Sequence, residues 1–454
     1  MRQNILAEND QQSARVAVIG LGKIGLPLAV QYAQAGLTVI GCDINPHVVE
    51  IINQGGCHVH EEEGMATSVA ELVQQGRLSA TRHTAQAVGQ ASVVVVIVPV
   101  VVNERYEVDF TGIDAATRSI GDGLRADTLV IYETTLPAGT TEQRFRGILE
   151  ERSGLQAGRD FSLAYSPERV SSGTIFRDLR TYPKIVGGID ERSTARAAEF
   201  YRQVLQAEVI TMASPGEAEF VKLIETTYRD VNIALANEFA RFADTHGFEV
   251  TAAIAAANTQ PYSHIHQPGV GVGGHCIPVY PYFLLAGINE QDRRLATREL
   301  PPLTLPHYSR QINDTMAQYA VQRIEAVLGP LSGRAVLLLG VAYRGNVRET
   351  AFTSARLLRD ALTEHGATVY ADDPLFTTEE LVAAGYQPLR AEQRSEIVAI
   401  LLQAGHREYQ EMDFARFTNC RVVLDGRRAL RRETIEGLGM HYMAIGDGHG
   451  PATV

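Results

Sequence analysis

Short apolar runs alternate along this chain with stretches whose apolar positions recur every three or four residues. The runs RVAVIG, LTVIGCD, VVVVIVP and TLVIYET read as strands, and Ile24–Ala35 has the periodicity of a helix. Strands and helices in alternation predict βαβ units, hence a parallel sheet with helices on both faces. Weaker strands, FSLAYS, KIVGG and EVITM, carry this region to residue 212. One long helix is predicted from Pro215 to His246, with Gly247 as its stop. A short Ala-rich helix, a Gly/Pro/His-rich loop from Thr259 to Pro278 and a helix over Tyr308–Leu328 follow. A second strand–helix series then begins with AVLLLG, SARLLRDALTEHG, ATVYADD, IVAILL and RVVLD.

The expected fold class is α/β: two Rossmann-like domains joined by a long central helix. The expected parts are a flexible tail (1–13), a dinucleotide-binding domain (14–212), a central helical domain with a cysteine loop (213–330) and a second Rossmann-like domain (331–454). A chain of 454 residues is too long for one hydrophobic core, which agrees with that division. The net charge of -12 repels polyanions, so neither nucleic acid nor a membrane surface is an expected partner. The four cysteines (Cys42, Cys57, Cys276, Cys420) include no CxxC pair, which suits a reducing cytoplasm. The opening residues, MRQNILAENDQQS, lack the basic start and apolar core of a signal peptide. The most apolar run, Ala91 to Val102, is about half the length needed to span a bilayer.

The first candidate site is Gly20-Leu-Gly22-Lys23-Ile24-Gly25, directly after a strand and opening a helix. Gly20 permits the tight turn, Gly22 lets the backbone approach a pyrophosphate, and Gly25 lets helix and strand pack closely. The helix N-terminus then offers free N–H groups to the anion. Asp43 ends the second strand, 23 residues after Gly20, where a carboxylate accepts from ribose and repels a 2'-phosphate. NAD is therefore the expected cofactor.

The second candidate is QPGVGVGGHCIPVYP, residues 267–281. Its glycines and prolines let backbone approach a ligand and let the Cys276 thiol project. Pro278 suits the first turn of the next helix, which places Cys276 ahead of a helix N-terminus that favours thiolate. His264, His266 and His275 lie nearby, but HxH followed by HC is not a familiar zinc spacing, and a coordinated thiolate would be lost as a nucleophile. No metal is expected. His58 and His60, beside the acidic run Glu61–Glu63, read as surface residues. Lys222, Glu225, Arg229 and Asn232 recur at helical spacing and form one polar face, which alone reads as a solvated helix side.

At these residues the chain resembles the UDP-glucose/GDP-mannose dehydrogenase family. The resemblance is carried by GLGKIGLP, VIVP, ETTLPAGTTE, SPERVSSG, PKIVGG, KLIETTYRDVNIALANE, GVGVGGHCIPV, LGVAYRGN and LDGRR, spread over residues 14–446. It implies an oxidoreductase of polysaccharide biosynthesis with an NAD domain, a C-terminal UDP-sugar-binding domain, and a homodimer or higher homo-oligomer built through the central helix. It also implies a four-electron oxidation at C6, with Cys276 forming a thiohemiacetal and then a thioester that water hydrolyses. Lys222 would stabilise the oxyanion, Glu168 would position or activate water with it, and Thr135 would lie near the nicotinamide or that water. Lys222, Glu168, Arg229, Gly273, Arg344 and Arg427 would hold the substrate, the arginines by pairing with its diphosphate or sugar.

The segments YRDVNIALANE and QPGVGVGGHCIPV are most similar to the UDP-N-acetylhexosamine 6-dehydrogenases, so UDP-GlcNAc or UDP-ManNAc is the expected substrate. UDP-glucose is the alternative. A β-hydroxyacid dehydrogenase and a non-catalytic nucleotide-sugar binder are the competing classes. Four positions depart from the family pattern: Tyr280 replaces an aspartate, Thr226 an asparagine, VPVV stands for VPTP, and Ala351 falls where an arginine is usual.

Overall fold

The computed structural model describes residues 15–60, 62–103, 105–170, 173–288, 290–295 and 302–449. The expected tail lies outside them. The chain divides into two compact units, Met1–Glu225 with Tyr282–Gly287, and Thr226–Pro281 with Ile288–Val454.

The strands of the first unit are β1 (Arg15–Ile19), β2 (Thr38–Cys42), β3 (Leu78–Thr81) and β4 (Val93–Val96), then a small hairpin of β5 (Val101–Val102) and β6 (Val108–Asp109). They continue with β7 (Leu129–Tyr132), β8 (Ser162–Tyr165), β9 (Lys184–Gly188) and β10 (Val209–Met212). Apart from the hairpin they form one eight-stranded sheet, in the order β10-β9-β8-β7-β4-β1-β2-β3. Strands β4, β7 and β8 are buried along their whole length, which is why β4 and β7 are continuous apolar runs rather than alternating ones.

One pair departs from the expected parallel pattern. β8 and β9 run antiparallel, with Ala164 opposite Gly188 and Tyr165 opposite Gly187. The chain leaving β8 stays at the carboxyl edge of the sheet, where Glu168 N–H donates to the Glu133 carbonyl and Gly173 N–H to Glu62. The helix that follows, Ile175–Thr181, spans about 10 Å at 1.5 Å per residue. β9 re-enters the sheet from the edge that β8 left. Lys184, its first residue, therefore starts at the carboxyl edge.

The helix Pro215–His246 has the predicted bounds. The later helix, Thr304–Leu328, begins four residues earlier than its apolar periodicity suggested. Pro306 falls in its first turn, where no intrahelical N–H bond is lost.

The second unit carries β11 (Ala335–Leu339), β12 (Thr368–Asp372), β13 (Gln387–Pro388), β14 (Ile397–Leu402), β15 (Val422–Asp425) and β16 (His441–Ala444). They form a parallel sheet in the order β13-β12-β11-β14-β15-β16. Two strands of this sheet were not read from the sequence, the edge strands β13 and β16. Arg323 is fully buried and bridges Asp244 at 2.9 Å to Asp447 at 2.7 Å. It thereby fastens the helix Thr304–Leu328 to the end of the long helix and to the turn after β16.

Candidate active site

In the first unit, β1 lies between β2 and β4, the place where strand order reverses and a crevice opens at the carboxyl ends. The three glycines there do three different things. Gly20 has φ +96°, which L residues rarely adopt, and its N–H donates to the Cys42 carbonyl. A Cβ on Gly25 would fall 1.9 Å from the Gly20 carbonyl oxygen, so helix and strand pack there only without a side chain. Gly22 is exposed, and a Cβ built on it meets nothing within 4 Å. That open backbone beside the N-terminus of the helix Gly25–Gln34 fits a pyrophosphate. Lys23 is exposed and Ile24 half-buried at the same turn. The half-buried Asp43 accepts from Leu21 N–H and Asn45 N–H at 2.9 Å each, one bond per oxygen, and keeps acceptor capacity for ribose hydroxyls.

Farther along the same edge sit Thr135 and Glu168, following β7 and β8. Both are largely buried, as is Lys222 on the long helix. Glu219, one turn before Lys222, accepts from Thr141 N–H at 2.8 Å and Thr141 Oγ1 at 2.6 Å, and from Gly139 N–H. It pins the ETTLPAGTT turn, and with it Thr135, to the helix that carries Lys222. Burial pushes the Glu219 carboxyl up to about 7, against the hydrogen bonds from Thr141 and Gly139. Glu168 meets a partner that the sequence reading did not single out: Lys184 Nζ stands 2.9 Å from its Oε2 and 2.7 Å from Glu133 Oε2.

In the second unit, Cys276 is half-buried at the head of the helix Tyr280–Ala286. Its carbonyl accepts from Val279 N–H at 3.2 Å and Tyr280 N–H at 2.9 Å, the first turn that Pro278 allows. The glycine loop before it is laid tightly on the segment after β11. A Cβ on Gly273 would meet Tyr343 Cβ at 2.8 Å and the Phe352 carbonyl at 3.0 Å, and Gly274 N–H donates to Ala351. Arg427 holds the same loop, donating to the Gln403 carbonyl at 2.6 Å and the Gly271 carbonyl at 3.1 Å. Burial pulls its guanidinium down to about 10, with Asp425 opposing, so it stays charged at neutral pH. Arg427 thus commits two donors to the protein, a loop-holding part that the expected substrate role did not include. Arg344 is exposed and lies over the Tyr343 ring at 5.9 Å.

Arg229 is exposed, while Asn232 is bound to the loop, accepting from His266 N–H and donating to the His264 carbonyl. Glu225, in the first unit, pairs with Arg169 at 2.9 Å. His275 stands 3.6 Å from Glu349, and burial, with the Arg229 charge adding, holds His266 below its ordinary value. Among the described residues no group of three or more His, Cys, Asp or Glu side chains is arranged to hold a metal. The surface reading of His58 and His60 holds for His60, which is exposed, and needs correction at His58, which is half-buried with its ring bonded to the Leu21 carbonyl. In the acidic run beside them Glu62 is buried and caps Gly173 and Ile175. Glu61 lies outside the described residues.

Three family models match the chain in sequence. The NAD-binding domain of the UDP-glucose/GDP-mannose dehydrogenase family covers residues 14–205, its central domain 216–300, and its UDP-binding domain 337–432. The chain belongs to the UDP-glucose/GDP-mannose dehydrogenase family. It is an NAD-dependent oxidoreductase of nucleotide sugars. A UDP-N-acetyl-D-mannosamine dehydrogenase from Pyrococcus horikoshii is 32% identical over 445 residues, 96% of this chain and 99% of that one. The solved structure of a UDP-D-ManNAc dehydrogenase from the same organism superposes with a TM-score of 0.84 at 31% identity, covering 96% of this chain and all of the other. A UDP-glucose dehydrogenase from Pyrobaculum islandicum superposes with a TM-score of 0.82 at 27% identity, over 97% and 99% of the two chains.

The two Rossmann-like halves of this dehydrogenase echo one another down to single hydrogen bonds. Gly340 repeats Gly20, with φ +85° and its N–H on the Asp372 carbonyl. Asp373 repeats Asp43 by accepting from Val341 N–H. The second carboxylate, however, is filled: Ala342 N–H, Leu375 N–H and His406 Nε2 also bond to it, and it is buried. Only Asp43 is left with capacity for a ribose. Because that carboxylate also repels a 2'-phosphate, NADP should give a kcat/KM at least about tenfold below that of NAD, roughly 1.4 kcal/mol of discrimination. Parallel steady-state assays with both cofactors measure it, and equal rates would contradict the role given to Asp43.

Proposed function

We propose that this dehydrogenase oxidises C6 of a UDP-N-acetylhexosamine, UDP-GlcNAc or UDP-ManNAc, to the uronate in two steps without releasing the aldehyde. The observation that carries the substrate class is the match, along 96% of the chain, to a relative named for UDP-N-acetyl-D-mannosamine. UDP-glucose is the second reading, favoured by the fit to the Pyrobaculum structure. The three working parts are 14–212 for NAD, 213–330 for the helix and cysteine loop, and 331–454 for the UDP moiety.

NAD, held by Gly20, Gly22, Lys23, Ile24, Gly25, Asp43 and Thr135, supplies the hydride acceptor. The first hydride leaves C6 for one NAD, giving the aldehyde; Cys276 sulfur adds to its carbon as the thiol gives up its proton, and the hydride of the thiohemiacetal leaves for a second NAD, giving a thioester. Water then attacks that carbon, the C–S bond breaks, and the thiol regains its proton. The choice of Cys276 among the four cysteines is supported by their settings. Burial pushes the Cys42 and Cys420 thiols up to about 12, which makes them inert, and Cys57 donates to the Val59 carbonyl at 3.1 Å. Lys222 meets the developing oxyanion, Glu168 takes the proton of the attacking water, and Arg229, Gly273, Arg344 and Arg427 hold the nucleotide sugar.

A homodimer through the long helix is supported by its exposed Phe220, Ile224, Tyr228, Leu235, Phe239 and Phe242. At 3.6 residues per turn they fall within an arc of about 100°. Among the described residues no helix is long and apolar enough to cross a membrane. The site of action proposed is the cytoplasm, on the four free cysteines without a CxxC pair.

A panel of UDP-GlcNAc, UDP-ManNAc and UDP-glucose tests the substrate: one of the N-acetyl sugars should give the highest kcat/KM. A higher value on UDP-glucose would reject the assignment. With Tyr280 in place of an aspartate, Glu168 is the carboxylate left to activate water, so hydrolysis should be the slow step. Rapid mixing should show a burst of NADH, and Glu168→Gln should lower the steady-state rate by about 10²-fold. A linear trace together with a Glu168→Gln variant near the wild-type rate would contradict it.

A further inference from the structure

The antiparallel entry of β9 brings a lysine to the carboxyl edge of the first sheet, between residues that follow β7 and β8. Lys184 is nearly buried, lies 4.9 Å from the centre of the Tyr201 ring, and reaches one oxygen each of Glu133 and Glu168. The other oxygen of Glu133 takes the hydroxyls of Tyr32 at 2.9 Å and Tyr201 at 2.6 Å. The other oxygen of Glu168 takes the N–H groups of Arg169 at 2.6 Å and Val170 at 3.0 Å. Both oxygens of Glu168 are thus oriented, Oε1 by backbone and Oε2 by Lys184. A small hollow of about 10 Å³, about the space of one water, lined by Glu168, Val170, Pro183 and Lys184, lies against this group.

We propose that Lys184 is a positioning residue for the reaction: by bridging Glu168 to Glu133 it holds the Glu168 carboxylate ready to take a proton from the water that hydrolyses the thioester. This rests on the role given to Glu168 above. Stability alone does not account for the triad, because apolar side chains of the same size would often serve as well or better there. The charges around Glu168 support the assignment. Burial alone would raise its carboxyl, but the Lys184 charge, the hydrogen bonds with Glu133 and Lys184 and the Arg169 N–H outweigh that and hold it below the ordinary value. Glu133 goes the other way, raised by burial, with Lys184 opposing and Glu168 adding. Tyr32 and Tyr201 face Glu133, and the Arg169 guanidinium is turned to Glu225 and the Pro183 carbonyl. Lys184 is thus the cation that holds the Glu168 carboxyl below its ordinary value against burial.

The sign follows directly. A base works when ionised, so kcat falls as pH drops through the Glu168 pKa. Removing the cation raises that pKa and moves the fall to higher pH. The test uses the full-length enzyme and kcat–pH profiles for wild type, Lys184→Met, Lys184→Arg and Lys184→Met/Glu133→Gln. The double variant removes the carboxylate that would be left without its cation and protects the fold. In both methionine variants the acid limb should move up by about one to three pH units, with KM for NAD and for the nucleotide sugar changed less than about twofold. Lys184→Arg, which can still bridge two carboxylates, should restore most of the profile. In a Glu168→Gln background, Lys184→Met should add less than about twofold, because it acts through Glu168. A slow Glu168→Gln enzyme beside an unmoved acid limb in the double variant overturns the role of Lys184 alone. Glu168→Gln at the wild-type rate overturns the role of Glu168, and that of Lys184 with it.

Discussion

A lysine ammonium buried between two carboxylates cannot leave without stranding charge, and Lys184 is held in that way at the carboxyl edge of the first sheet. Three strands end or begin there with a charged residue: β7 runs into Glu133, β8 into the turn of Glu168, and β9 opens with Lys184. The ion triad fixes the relative heights of these three chain segments, and the tyrosines of two helices, Tyr32 and Tyr201, close it from the side. Glu219 extends the same frame, tying the turn after Thr135 to the helix that carries Lys222. The candidate base and the candidate oxyanion cation are thus each set by a buried charge that does not itself need to touch substrate.

The family chemistry asks two Rossmann-like domains to do different jobs, and one aspartate in each shows how the difference arises. Asp43 and Asp373 occupy the same place and accept the same loop N–H. Three further donors, His406 among them, saturate Asp373 and turn it into a structural staple for the segment after β11. Against that segment the glycine loop of Cys276 is packed, with Gly273 too close to Tyr343 for any side chain. Where the first domain keeps a carboxylate with spare acceptor capacity, the second has a saturated one that supports the loop of Cys276.

Much of this was legible in the sequence, for physical reasons that also explain the gaps. Strands buried on both faces must be apolar throughout, so β1, β4, β7, β11 and β14 stand out, and the long helix shows its period. The glycine fingerprint and the cysteine loop are legible because close backbone approach excludes side chains. The direction of β9 was not, since the connection from Tyr165 to Lys184 is long enough for either a parallel or an antiparallel return. Nor was the burial of Glu62, because an acidic run reads as solvated until the backbone that it caps, more than a hundred residues later, is known. Lys184 and Glu133 did carry a signal that went unused. A charge at the end of TLVIYET or at the start of KIVGG, beside an otherwise buried strand, calls for a partner.

Covalent capture at Cys276 is the central proposal: in it the dinucleotide cradle, the lysine on the helix and the held carboxylate would all serve an aldehyde that is not released. The most direct measurement counts NADH against acid in single and multiple turnovers of the purified enzyme on its nucleotide sugar, with a carbonyl-trapping reagent present. The account predicts two NADH per uronate, no trapped aldehyde, and no acid from Cys276→Ala. One NADH per product with trapped aldehyde, or full acid formation by Cys276→Ala, would contradict it.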